Sequence, residues 1–77
     1  MITIVSRTAE QQGMRVFYEL LEENGRYGIR VSCGSQMVEI PDLTTEKESL
    51  LQLLNAMHLG FVTPVTARDI AEDWLLR

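Results

Sequence analysis

Residues 14–40 read MRVFYELLEENGRYGIRVSCGSQMVEI, and two short turns within them decide the fold. Asn24-Gly25 and Gly34-Ser35 separate three alternating runs, and Asn-Gly in that setting is a strong hairpin signal because both residues tolerate positive φ. With Asn24 and Gly25 at the centre of a type I′ turn, Glu23 faces Arg26. The pairing then places Leu20 opposite Ile29, Tyr18 opposite Val31, Val16 opposite Cys33 and Glu19 opposite Arg30. With Gly34-Ser35 as a second two-residue turn, Val31 meets Val38, Ile29 meets Ile40 and Arg30 meets Glu39.

The two turns agree on which side chains share a face. An inner face carries the rows Leu20/Ile29/Ile40 and Tyr18/Val31/Val38. The outer face carries the charge row Glu19/Arg30/Glu39 beside Phe17/Ser32/Met37, with Leu21 opposite Gly28. Opposite charges across strands contribute roughly 0.2–1 kcal/mol per pair. A one-residue slip would set charged side chains against apolar ones, so the register is strongly specified.

Working outward, residues 2–8 are β-prone, and residues 9–13 form a polar run ending in glycine that suits a longer hairpin loop. The first segment then becomes a fourth antiparallel strand beside the one starting at Met14, or lies on the other edge of the sheet. After Ile40 the period changes. Pro41 lacks an N–H and is expected to stop the sheet, and Thr45 and Glu48 stand at capping-box spacing. Leu50, Leu53, Leu54, Met57 and Phe61 recur at three and four, one helix face, with Leu51 on its shoulder and Gly60 as the C-terminal cap.

Thr63-Pro64 opens a second helix, with Thr66 and Asp69 as an alternative cap. Ala67, Ile70, Ala71, Trp74 and Leu75 form its apolar stripe, and Trp74 is expected to anchor the core. A one-sided sheet and two amphipathic helices have one economical packing, with both helices on the inner sheet face. The expected fold is α+β: an antiparallel three- to four-stranded β-meander followed by two C-terminal helices, ββββαα, in one small domain spanning residues 1–77.

Composition bounds the rest. A chain of 77 residues with 45% hydrophobic content has only a small core, and its one cysteine excludes an internal disulfide. The formal charge of −4 disfavours phosphate backbones and anionic membranes. The N-terminus lacks a signal peptide's apolar core and no stretch approaches the ~20 apolar residues of a membrane span, so a cytoplasmic protein without membrane contact is the expectation.

Tyr18, Tyr27-Gly28-Ile29, Val62-Thr63-Pro64 and Asp69-Ile70-Ala71-Glu72-Asp73-Trp74 together resemble a family of short uncharacterised proteins from Firmicutes, mostly clostridia, classed as a domain of unknown function. The resemblance covers roughly residues 14–77. It implies the same strand-rich fold with two closing helices and a bacterial cytoplasmic setting, and it implies no chemistry.

Few residues invite a chemical reading. Cys33 lies at the end of a strand with no cationic neighbour in sequence to lower its pKa, and His58 lies late in the first helix beside the apolar stripe. Both are read as structural, although a thiol and an imidazole meeting in the fold would form a nucleophile–base pair. Asp69, Glu72 and Asp73 share one helix face, a possible polar partner face; the plainer reading is a solvated surface with Asp69 at the helix start and an Arg68–Glu72 pair. No catalytic, cofactor or metal site is expected, and the chain is not read as an enzyme.

Phe17, Leu21 and Met37 are more informative, because an outer sheet face left to water is mostly polar. With Glu19, Arg30 and Glu39 they make a candidate interaction surface for a protein partner or a second copy of the chain. The leading expectation is a small interaction or regulatory module that self-associates through this face. The alternative is a nucleic-acid-binding helix-turn-helix in residues 45–77. Against it, the last helix sets Asp69, Glu72 and Asp73 against Arg68 and Arg77.

Overall fold

The computed structural model describes residues 1–76. Four strands, β1 (Ile2–Gln11), β2 (Met14–Glu23), β3 (Arg26–Cys33) and β4 (Gln36–Thr44), are followed by α1 (Lys47–Leu59) and α2 (Pro64–Leu75). The strands form one antiparallel sheet in the order β1-β2-β3-β4, the α+β meander expected from the sequence.

The register follows the turn chemistry. Leu20 pairs with Ile29, Glu19 with Arg30 and Val16 with Cys33, and on the next ladder Ile29 pairs with Ile40 and Arg30 with Glu39. Asn24 and Gly25 have φ of 54° and 80°, the signature of a type I′ turn whose twist matches the strands it joins. Gly34 alone is positive in the next turn, at 60°, as type II′ requires.

The first hairpin is tighter than expected. Gln12 and Gly13 also adopt positive φ, so residues 9–11 belong to β1 and the loop is two residues long. Their polarity reflects an exposed strand end rather than a loop. β1 lies beside β2, as one of the two expected placements had it.

Inner-face residues Val16, Tyr18, Leu20, Ile29 and Val31 pack with Leu50, Leu53, Leu54 and Met57 of α1 and with Ala67 and Ala71 of α2. Each such large side chain, fully buried, contributes about 1.5–3 kcal/mol, against roughly 0.2–1 kcal/mol for a cross-strand charge pair. The core therefore dominates stability and the charge row refines register. Among the described residues no helix lies on the opposite face. Trp74 is a correction: it is only half-buried at the core's margin, because the small Ala67 and Ala71 bring α2 close to the sheet and leave the tryptophan at the flank.

The helix ends also depart from expectation. Thr45 and Glu48 form no capping box; the N-cap is Glu46, without a side-chain cap bond, and Thr44 Oγ1 accepts the Glu46 N–H at 3.0 Å. At the other end of α1, Gly60 is the C-cap, as expected, but it keeps an ordinary φ of −87°, and Phe61 takes the left-handed conformation at 51°. Val62 N–H donates to the Met57 carbonyl and Phe61 N–H to that of His58, a Schellman closure built on a non-glycine residue. Phe61 thus lies beyond the helix rather than on its stripe, and the cost of its conformation, about 1–2 kcal/mol, is offset by packing of its ring against the core. α2 begins at Pro64, with Thr63 as N-cap, so Thr66 lies inside the helix.

The largest correction concerns Pro41. The sheet does not stop there: between the pairs Ile29–Ile40 and Tyr27–Thr44, Gly28 alone of β3 faces Pro41, Asp42 and Leu43 of β4. This bulge, with Asp42 at φ 61°, accommodates the missing N–H of Pro41, turns Leu43 into the core and sets Asp42 against Arg26 in an ion pair. It also presses β4 onto Gly28, where an added Cβ would meet the Ile40 carbonyl oxygen and come within 2.6 Å of Pro41 Cα. Gly28→Ala is expected to lower unfolding stability by about 1–3 kcal/mol in urea denaturation. Unchanged stability would show that the bulge moves freely.

Candidate functional site

The outer sheet face is built on β2, β3 and β4. Arg30 sits at its middle, with Nε donating to Glu39 Oε1 at 3.0 Å, Nη2 in an ion pair with the same oxygen at 2.9 Å, and Nη1 donating to Glu19 Oε1 at 3.2 Å. Glu19 Oε2 also accepts from Thr3 Oγ1 at 3.1 Å, which carries the network onto β1. The guanidinium pKa is raised, chiefly by the hydrogen bond to Glu39 and then by Glu19, against the opposing effect of burial. One cation between two carboxylates leaves the row with an excess negative charge, held in a fixed arrangement.

Next to this row stand Phe17, Ser32 and Met37, paired across the three strands. Phe17 is 41% exposed and Met37 61%. Leu21, expected to extend this patch, does not: it is 1% exposed. The bulge in β4 is the reason, since Pro41 folds over Gly28 beside it. Leu21, Gly28, Pro41 and Met1 instead line a small cavity of about 250 Å³ at one end of the sheet. Nothing in the alternation of residues 14–40 signalled that cover; the signal lay in Pro41 following Ile40 opposite a glycine.

The remaining candidates fall elsewhere. Cys33 is a half-buried free thiol on the inner face, paired with Val16. His58 Nε2 lies 3.0 Å from the Thr8 carbonyl, and its ring meets Tyr18 edge-on at 5.8 Å between centroids. Thr8 faces Phe17 in a non-hydrogen-bonded pair, so this carbonyl points to the open edge of β1, where the imidazole supplies the partner that a fifth strand would. The structure thus engages His58 with backbone and shows no hydrogen bond between it and Cys33. Asp69, Glu72 and Asp73 are exposed on α2, and Arg68 makes no ion pair with Glu72 among the described residues. No group of three or more His, Cys, Asp or Glu side chains there is placed to hold a metal ion. Arg77, part of the nucleic-acid alternative, lies outside the described residues. Among the described residues, no helix is long and apolar enough to cross a membrane.

Tyr18 ties the site's scaffold together. Wholly buried, it donates its hydroxyl to the Val62 carbonyl at 2.7 Å and so fastens β2 to the turn between the helices. Burial first, and the neighbouring Cys33 second, raise its pKa above 10.0. A raised folded-state pKa means that the neutral phenol's contribution is complete below pH 10.0 and is lost as pH rises through the folded value. Tyr18→Phe is expected to cost about 1–2 kcal/mol at neutral pH and to flatten the loss of stability above pH 10.0 in urea titrations. An equally steep alkaline loss in the variant would assign that loss to other groups.

No curated protein and no solved structure matches the chain. A family model does, across residues 1–77, extending beyond the segment that carried the resemblance. Within the Tyr27-Gly28-Ile29 run, Gly28 stands where β4 approaches too closely for any side chain. The chain belongs to the family of unknown function DUF6514.

Proposed function

We propose that the protein is a small interaction module that self-associates through its outer sheet face. The observation that carries this reading is the exposed pair Phe17 and Met37, set across Ser32 on a face that no helix among the described residues covers. Apolar side chains of this size at the centre of an interface anchor it, while the Glu19/Arg30/Glu39 row selects orientation by charge complementarity.

A second copy suits the face because the same row offers both signs of charge to its own two-fold image. Four strands about 4.8 Å apart and some nine residues long present about 500–600 Å² per copy. That is below the ~800 Å² of a standard stable interface, so the expected dimer is weak and concentration-dependent. Leu21 takes no part.

A bacterial cytoplasmic setting belongs to this reading. It is supported by the resemblance to short clostridial proteins and by the free Cys33 thiol, which a reducing compartment preserves.

Light scattering over a concentration series tests the proposal. Wild type is expected to move from monomer towards dimer, and Phe17→Asp to remain monomeric with its urea midpoint unchanged. Wild type that stays monomeric throughout, or a Phe17→Asp protein that dimerises equally, would overturn it.

A further inference from the structure

The two helices are joined by a short turn, and both pack on the sheet. Between them lies a groove of about 800 Å³, floored by Leu43 and Leu53 and walled by Ile70 and Trp74 of α2. Trp74 is half-buried there and Leu75 is 50% exposed, so the groove combines an apolar floor with an accessible aromatic wall. Aromatic side chains in such positions are typical anchors of an interface.

Two features define an occupant. The lining residues along α1 run from its N-cap, Glu46, to Ala56, a span of about 15 Å along a helix axis, the length of roughly three helical turns. The charged side chains among its described lining residues are both carboxylates, Glu46 at the N-cap of α1 and Asp73 on α2. Both line the groove in a chain whose net charge is −4.

We propose that this groove is a docking site for an amphipathic helix of about three turns, whose apolar face enters between α1 and α2 and whose flanks carry Lys or Arg. Leu53, Ile70 and Trp74 receive the apolar face, and Glu46 and Asp73 receive the flanking cations. The site is separate from the outer sheet face, on the other side of the sheet. It gives Asp73 a partner of defined chemistry.

Trp74 is the sole tryptophan, so its fluorescence reports occupancy directly. Two synthetic peptides with one apolar pattern, flanked by Lys and Arg in one and by Glu in the other, are titrated into the full chain. The basic peptide is expected to blue-shift Trp74 emission and to bind about tenfold or more tightly than the acidic one. Asp73→Lys and Glu46→Lys, both exposed positions, are expected to erase that preference while circular dichroism stays unchanged. The proposal is overturned by no shift with either peptide, by equal affinity for both, or by a preference that survives both substitutions. A shift that grows with protein concentration alone would also overturn it, by placing a second copy in the groove.

Discussion

Side-chain alternation across β2 and β3, locked by the left-handed backbone of Asn24 and Gly25, is the constraint on which the rest of the structure depends. A strand's side chains change face at every residue, so one turn determines which residues become core and which remain on the surface. Tyr18, Leu20, Ile29 and Val31 are buried because that turn faces them towards the helices. The same choice sends Phe17, Glu19 and Arg30 outward. Core and candidate site are two sides of one decision, and a slip in register would exchange them.

β4 adds a second constraint at Gly28. The sheet passes Pro41 by bulging, and the bulge closes over β3 where Gly28 has no side chain. This local event reaches both the core, through Leu43, and the outer face, through the cover it gives Leu21. It narrows the exposed apolar patch to Phe17 and Met37 and leaves the charge row intact beside them.

How much was legible in the sequence follows from the range of each interaction. The pairings of β2, β3 and β4 were readable because turn chemistry and period two act within a few residues. The α1 stripe through Leu50, Leu53, Leu54 and Met57 was readable for the same reason. Leu21, Trp74 and Phe61 were not, since their burial depends on where a distant segment comes to rest: β4 over Leu21, α2 at the core's flank, and the Schellman turn under Phe61. The capping pattern at Thr45 and Glu48 was locally sound but lost to a hydrogen bond that Thr44 Oγ1 accepts from the Glu46 N–H. In the candidate site, Phe17, Glu19, Arg30, Met37 and Glu39 could be placed together from register alone. The groove between the helices could not, because it arises from the angle at which two helices pack.

The central claim is that the outer face, as the register defines it, is a surface at which copies of the chain meet. A dilution series of amide nitrogen–proton correlation spectra tests it residue by residue. Concentration-dependent shifts confined to Phe17, Glu19, Arg30, Ser32, Met37 and their cross-strand neighbours are predicted. Shifts confined to α1 and α2, or spectra invariant with concentration, would contradict it.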